Sequence, residues 1–184
     1  KGLNSILFNK ISATIYPAEY RNYAKFQIAG IHWTIIAAIV IIIVLELMLH
    51  KTTVFKELYF VGSNNNTAKI YGIKADRIKS AYFAVSSFTA AFAGIIATSR
   101  ITHSDIATGE GLEFTLITAA VVGGASLIGG KGSILKSALG LLFLALLLNG
   151  MIIYRIEPFI QQVAVGIILI LSVFFDARMN KKKM

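Results

Sequence analysis

The stretch "GIHWTIIAAIVIIIVLELML", residues 30 to 49, decides the fold class of this chain. It contains a single charge, Glu46 near its end, and about 20 mostly apolar residues suffice to cross a bilayer as one helix. The whole chain has the same character, since 56% of its 184 residues are hydrophobic and 15% are charged. A soluble domain is about half apolar and about a quarter charged. The composition therefore predicts several membrane-spanning helices.

Three further windows of similar length are almost free of charge. They are "SAYFAVSSFTAAFAGIIATS" (80–99), "SILKSALGLLFLALLLNGMIIY" (133–154) and "FIQQVAVGIILILSVFF" (159–175). A weaker candidate, "EFTLITAAVVGGASLIGG" (113–130), is interrupted by glycine. We therefore predict an all-α polytopic transmembrane protein with about five spans, formed by a membrane domain over residues 30–178.

The distribution of Lys and Arg between alternate loops predicts the orientation of the spans. Twelve basic residues fall on the side that holds the loop 50–79, the turn around Lys131 and the C-terminus, and six fall on the other side. We therefore place the loop 50–79 and the basic tail 179–184 in the cytoplasm. Residues 1–29 are predicted to be an external segment with a short interfacial helix. The net charge of +9 then reflects topology and not nucleic acid binding, for which no basic and aromatic cluster is present.

The polar stretch "VGSNNNTAKIYGIKADRIK" (61–79) predicts a helix of about two turns over residues 65–71. Ser63 or Asn64 is a suitable N-cap, because its side-chain oxygen accepts from the free N–H groups of the first turn. Gly72 suits the left-handed position just after the helix end. The loop 50–79 therefore contains a structured element.

This short helix is expected to pack against another surface, because a helix of about two turns is not stable alone in water. Ala68 and Tyr71 are predicted to lie on one face of it. The surface is either the protein's own membrane domain or a cytoplasmic partner, and the residues leave both open. A solvated linker that only reverses the chain is the third interpretation.

The glycine-rich stretch "VVGGASLIGGKGS" (121–133) has the composition of a phosphate-binding loop but lacks its pattern. A P-loop needs G-x-x-x-x-G-K-[ST] between a strand and a helix, whereas here Ala125 and Gly132 stand where the first glycine and the hydroxyl belong. We interpret the stretch as a short or broken crossing, with Lys131 at its cytoplasmic end and Ser133 capping the next helix. Its glycines are expected to permit close helix packing: Gly123, Gly124, Gly129 and Gly130.

Four segments, taken in order, carry a resemblance to a known family. They are "VGSNNNTAKIYGIKADRIK" (61–79), "AGIIATSRI" (93–101), "GEGLEFTLITAAVVGGASLIGGKGS" (109–133) and "LLLNGM" (146–151). Together they resemble the C-terminal half of ribose-type ABC importer permeases, the membrane subunits of bacterial binding-protein-dependent importers for simple sugars. The resemblance runs from about residue 30 to residue 178 without a large gap.

The resemblance implies a function and a set of partners. A sugar delivered by an extracytoplasmic substrate-binding protein would cross between two permease copies, as a homo- or heterodimer, in the bacterial cytoplasmic (inner) membrane. A separate ATP-binding cassette subunit would bind the ATP, so no cofactor or metal site and no enzymatic activity are expected in this chain. The alternatives are a permease for another small solute (autoinducer-2, a nucleoside or a branched-chain amino acid), an ion-coupled secondary transporter and a structural membrane anchor.

The resemblance also implies that the short helix docks into a groove of the ATPase subunit and passes its closure to the membrane helices. Asn65 and Asn66 stand where the family usually has two acidic residues. The other expected docking residues follow the family pattern or flank it. The predicted docking helix thus comprises Asn64, Asn65, Asn66, Ala68, Tyr71, Gly72 and Ile73.

Polar and small residues inside the spans are the remaining candidates. Asn149 lies in a leucine-rich run, where a polar group is costly unless it has a partner or lines a path. Asn149 and Glu113 are therefore candidates for the translocation path, with an interhelical hydrogen bond and a favourable helix-dipole position as the respective alternatives. Ala90 and Gly94, four residues apart, are predicted to let another helix approach closely.

Overall fold

The computed structural model of the chain describes residues 26–28, 30–101, 109 and 111–181. Only residues 26–28 of the predicted external segment 1–29 fall in this range, and the interfacial helix expected there lies outside the described residues. The last residues of the basic tail, 182–184, also lie outside them.

The described chain is predominantly helical. A short antiparallel pair of strands, in which Gln27 lies opposite His32, precedes the helices. The elements are β1 (Gln27–Ile28), β2 (Ile31–His32), α1 (Trp33–Lys51), α2 (Thr53–Ser63), α3 (Asn65–Ile70), α4 (Ala75–Ile101), α5 (Leu112–Val122), α6 (Ile134–Ile153) and α7 (Pro158–Lys181).

Four helices of the described chain, α1, α4, α6 and α7, are long and apolar enough to cross a membrane. No more than 11% of the residues in their apolar windows are buried within the chain. Exposed apolar surface of this extent is unfavourable in water but suits lipid, where each helix satisfies its own backbone hydrogen bonds. The prediction of an all-α polytopic membrane protein is confirmed.

The weak span predicted over residues 113–130 is a shorter structure than a full crossing. Helix α5 has 11 residues and therefore rises about 16 Å, roughly half of the ~30 Å hydrocarbon core. It ends in a Schellman motif, in which the N–H groups of Gly124 and Ala125 donate to carbonyls of the last turn at 2.8 and 2.9 Å. Gly124 has φ +90°. The glycine-rich stretch thus ends α5 and returns the chain to α6.

The described residues divide into two units. The first contains the described residues up to Ile41 and those between Lys79 and Gly109. Within it the N–H of Trp33 donates to the carbonyl of Phe26 at 3.2 Å, which joins the strand pair to the start of α1. The hydroxyls of Ser87, Thr89 and Thr98 donate to carbonyls of the preceding turn of α4, so these polar groups are satisfied inside the helix.

The second unit contains Ile42–Ile78 and the described residues from Gly111 onward. Its core lies where α5 packs against α6 and α7. Leu144 and Thr118 are completely buried there, and the Thr118 hydroxyl donates to the carbonyl of Phe114 at 2.7 Å. The buried Thr118 hydroxyl therefore keeps a hydrogen bond inside the core.

Glycine permits the close contact between α5 and α6. A Cβ atom placed on Gly140 would meet the carbonyl oxygen of Ala119 and would lie 2.9 Å from the nitrogen of Gly123. A Cβ atom on Gly123 would in turn lie 2.6 Å from the carbonyl carbon of Lys136. Any side chain at these positions would force the two backbones apart.

We expect Gly140→Ala to lower the free energy of unfolding by about 1–3 kcal/mol, because the added methyl group overpacks the α5–α6 contact. Gly150→Ala is the matched control on the same helix, since beyond the adjoining residues and backbone of α6 no described atom lies within 4 Å of its Cβ position. That control is expected to be neutral or stabilising, by up to about 1 kcal/mol. Thermal unfolding of the detergent-solubilised protein measures both, and equal effects of the two substitutions would contradict the packing described.

Candidate functional site

The short helix predicted in the loop 50–79 is confirmed as α3, one residue shorter than expected. Asn64 is its N-cap, and the Asn64 side-chain oxygen accepts from the N–H groups of Asn66 and Thr67, both at 3.0 Å. The helix ends in a Schellman motif with Gly72 at φ +78°, the left-handed position that favours glycine. Both ends are therefore fixed by local hydrogen bonds.

Helix α3 packs on the protein's own chain through Ala68. The Ala68 side chain is buried against Val61 of α2 and Ala75 of α4, and Ile73 and Ile78 pack on the edge of this cluster. These side chains form an apolar seat for α3. Its burial explains why so short a helix is ordered.

The prediction that Ala68 and Tyr71 lie on one face of the helix is wrong. Tyr71 is 80% exposed and the preceding Ile70 is 84% exposed. Tyr71 is the C-cap, with φ −77° and ψ 9°, so the chain is already leaving the helix at this residue. Helix α3 therefore presents two large apolar side chains outward while Ala68 holds it to the chain.

Asn65 is half-buried, and its side-chain oxygen is buried without a hydrogen-bond partner among the described residues. A carboxylate in the same conformation would bury a charge with no donor, which is far more costly than burying a neutral amide oxygen. This environment gives a physical reason for an amide where the resembling family usually has an acid.

Helix α2 (Thr53–Ser63) lies where the sequence predicts only a loop. The end of this helix contacts the glycine-rich turn, which we define as residues 123–133. A Cβ atom on Gly129, at φ +100°, would meet the carbonyl oxygen of Gly62, and one on Gly130 would lie 2.7 Å from the Cβ of Ser63. The two backbones touch here because glycine has no side chain.

A hydrogen bond reinforces this joint. The Tyr59 hydroxyl of α2 donates to the carbonyl of Gly132 at 2.7 Å. Burial, with a smaller contribution from the negative charge of Glu46, raises the pKa of the Tyr59 phenol above its ordinary value. The phenol therefore stays protonated, and remains a donor, throughout the physiological pH range.

The start of α6 is capped by a side chain from a distant helix. Glu46 of α1 accepts from the backbone N–H groups of Ile134 and Leu135 at 2.8 and 3.1 Å through Oε2. Its Oε1 accepts from the Ser133 hydroxyl at 2.8 Å and from His50 Nε2 at 3.1 Å. The predicted local cap is also present, because the Ser133 oxygen accepts from the N–H of Lys136 at 3.3 Å.

The glycine-rich turn also contacts the last span. The Ser126 hydroxyl donates to Asp176 Oδ2 of α7 at 2.9 Å, and the Ser126 N–H donates to the carbonyl of Lys131 at 3.1 Å. The turn therefore meets the final part of α1, the end of α2, the start of α6 and the final part of α7. These contacts place the ends of the predicted cytoplasmic elements on one side of this unit.

The candidates inside the spans do not take part in these contacts. Asn149 and Glu113 are exposed on α6 and in the first turn of α5. Ala90 is exposed, and beyond the adjoining residues and backbone of α4 no described atom lies within 4 Å of a Cβ placed on Gly94. Their roles in the path and in helix packing stay predictions.

The sequence shows Glu46 and Asp176 as acids within or beside apolar runs. It does not indicate their hydrogen-bond partners, because nothing near them in the sequence identifies those partners.

Comparison with known proteins gives a consistent match along the chain. The family described as branched-chain amino acid transport system / permease component matches residues 2–173. The chain is 36% identical over 170 residues to the L-arabinose transport system permease protein AraH of Escherichia coli (strain K12), which covers 92% of this chain and 50% of that protein. It is 32% identical over 159 residues to the ribose import permease protein RbsC of Bacillus subtilis (strain 168), covering 86% and 49%.

A third relative is named for the transport of a different compound. The chain is 32% identical over 154 residues to the autoinducer 2 import system permease protein LsrC of Photorhabdus luminescens, which covers 84% of this chain and 46% of that protein. The chain thus spans about half the length of the curated relatives it matches. No solved structure matches it significantly.

We expect Asn64→Ala to destabilise α3 by about 1 kcal/mol, because two N–H groups of its first turn lose their acceptor. Hydrogen exchange of the Asn66 and Thr67 amides should become faster in this variant. Asn64→Asp retains the acceptor oxygen and is the matched control, for which we expect little change. Unchanged exchange in Asn64→Ala would show that the cap does not hold the helix.

Proposed function

The chain belongs to the family of transport-system permease components, and on this premise we propose that it forms part of the membrane pathway of an ATP-driven importer for a simple sugar. The observation that carries the proposal is the short helix α3, which is capped at both ends, seated on the membrane domain and exposes Ile70 and Tyr71. Exposed apolar side chains on a rigid element are typical anchors for a protein partner.

The partner in this proposal is an ATP-binding cassette subunit. It binds the ATP, and its closure displaces α3. The apolar seat passes the displacement to α2, and the joint at Gly62 and Gly129 passes it to the glycine-rich turn. Rearrangement of α5 and α6 then opens the path to the other side of the membrane, which is alternating access driven by a partner's nucleotide. The chain itself holds no cofactor and catalyses no reaction in this scheme.

The proposed cargo is a simple sugar, because two of the relatives described above are named for arabinose and ribose transport. An extracytoplasmic binding protein delivers the sugar, and a second permease copy completes the pathway. The basic loop 50–79 and the C-terminus face the cytoplasm of a bacterial cell, in accordance with the bias of twelve basic residues against six.

An ion-coupled transporter is less well supported. Such proteins place free ionisable or ion-coordinating groups near the middle of the membrane. Glu46, the acid within the first span, is already saturated by the Ser133 hydroxyl, two backbone N–H groups and His50. The contacts of Glu46 are those of a structural residue, not of an ion-binding residue.

The function is tested by transport. We expect proteoliposomes that contain the complete transporter, with its ATPase and binding protein, to accumulate radiolabelled ribose or arabinose only when ATP is supplied to the ATPase side. Autoinducer-2 is the comparison cargo that distinguishes a sugar importer from the signal importer. Accumulation that needs an ion gradient and no ATP would overturn the proposal.

The docking surface is tested separately. We expect the double substitution Ile70→Ser/Tyr71→Ser to weaken copurification of the ATPase subunit at least about tenfold, because it removes two exposed apolar anchors. Ile153→Ser/Tyr154→Ser is the matched control, since this second Ile-Tyr pair is also at a helix end and is similarly exposed, at 74% and 84%. Equal loss in both variants, or loss in neither, would show that α3 is not the docking element.

A further inference from the structure

The side chain of Glu46 makes more contacts than a helix cap requires. A helix start is ordinarily capped by its own N-cap residue, and Ser133 already performs this role for α6. Glu46 comes from a helix 87 positions earlier in the sequence, and its side chain is only 17% exposed. This largely covered carboxylate contacts the start of α6 although a local cap is present, so its position on α1 requires a separate explanation.

The contacts of Glu46 close a ring of structural elements. Helices α1 and α2 are joined directly through Thr52. The Tyr59 hydroxyl fixes α2 to the carbonyl of Gly132, and the next residue, Ser133, begins α6. Glu46 then ties the start of α6 back to α1, with which α6 has few other contacts in the described chain.

Opening the ring would change how a displacement spreads. With the ring closed, movement of α2 and the glycine-rich turn carries the end of α1 along with the start of α6. Without the Glu46 contacts, the start of α6 can move relative to α1. Helix α1 then stays joined to α2 through Thr52, whose N–H and hydroxyl donate to the carbonyl of Met48 and whose carbonyl accepts from the N–H of Lys56. Rigid elements linked by hydrogen bonds are the physical means by which such coupling travels.

We propose that Glu46 is a positioning residue for transport: it fastens the end of α1 to the first turn of α6, so that a displacement delivered through α3 moves both helices together. This role rests on the proposed function. It differs from that function because it concerns how the movement is shared within the chain, not which partner or cargo is bound.

The competing explanation is that Glu46 only stabilises α6 by capping it. Two variants separate the explanations. Glu46→Leu/Ser133→Asp restores a carboxylate cap from α6 itself and removes the Glu46 carboxylate from α1. Both variants also carry His50→Ala, because His50 of α1 contacts the Glu46 carboxylate and would otherwise donate to the new one. Glu46→Gln/Ser133→Asp exchanges donor and acceptor, because the Gln amide donates to the new carboxylate, which also caps α6. Only the second variant keeps both the cap of α6 and a side-chain hydrogen bond between α1 and α6.

Both variants are assayed in the complete reconstituted transporter for thermal unfolding, ATPase copurification and labelled ribose or arabinose accumulated per ATP hydrolysed. We expect both to unfold near the wild-type temperature and to retain the ATPase. Sugar accumulated per ATP should fall at least tenfold in Glu46→Leu/Ser133→Asp and should stay within about twofold of the wild type in Glu46→Gln/Ser133→Asp.

Three results would overturn the positioning role. They are wild-type coupling in Glu46→Leu/Ser133→Asp, equally poor coupling in both stable variants, and failure of Glu46→Leu/Ser133→Asp to fold, which would make Glu46 a folding residue. Failure of the proposed function is recognised differently, because the wild-type chain itself would then accumulate neither sugar while its partner hydrolyses ATP.

Discussion

The second unit, Ile42–Ile78 with the described residues from Gly111 onward, depends on the hydrogen bonds that Glu46 makes to the start of α6. A helix that begins or ends within or beside a bilayer leaves N–H and C=O groups that must find partners inside the protein. At the start of α6 the N–H groups of Ile134 and Leu135 bond to Glu46, and that of Lys136 bonds to Ser133. The glycine-rich turn can therefore lie beside the spans, because the helix that follows it begins with satisfied donors.

At the end of α5, glycine meets the same requirement for satisfied backbone groups. Helix α5 stops after eleven residues, and the Schellman motif at Gly124 satisfies its last carbonyls. The turn that follows is held by contacts too close for any side chain, at Gly62 on one side and at Lys136 on the other. The glycines that resemble a phosphate-binding loop in the sequence are a packing device in the structure. The resemblance in composition arises because both uses require the backbone to be approached closely.

The predictable and unpredictable parts of the structure differ in the range of the forces that determine them. The long spans follow from composition alone, and the caps of α3 follow from Asn64 and Gly72, since both are local effects. The sequence does not indicate helix α2, because packing against other elements decides it, and Tyr71 faces outward because the chain leaves α3 at this residue. The partners of Glu46 and Asp176 lie 87 and 50 positions away in the sequence. An acid beside an apolar run indicates that a partner exists, but nothing in one sequence identifies it.

The exposure of Ile70 and Tyr71 has a consequence for how such a permease changes over generations. These two side chains take no part in the apolar seat beneath α3, in the joint at Gly62 or in the ring that Glu46 closes. Substitutions on the outer face of α3 therefore carry little penalty in folding, whereas the inner face is constrained by both α2 and α4. Under the docking role proposed above, α3 is an exchangeable adaptor, whose partner preference can change by substitution of its outer face on an unaltered membrane scaffold.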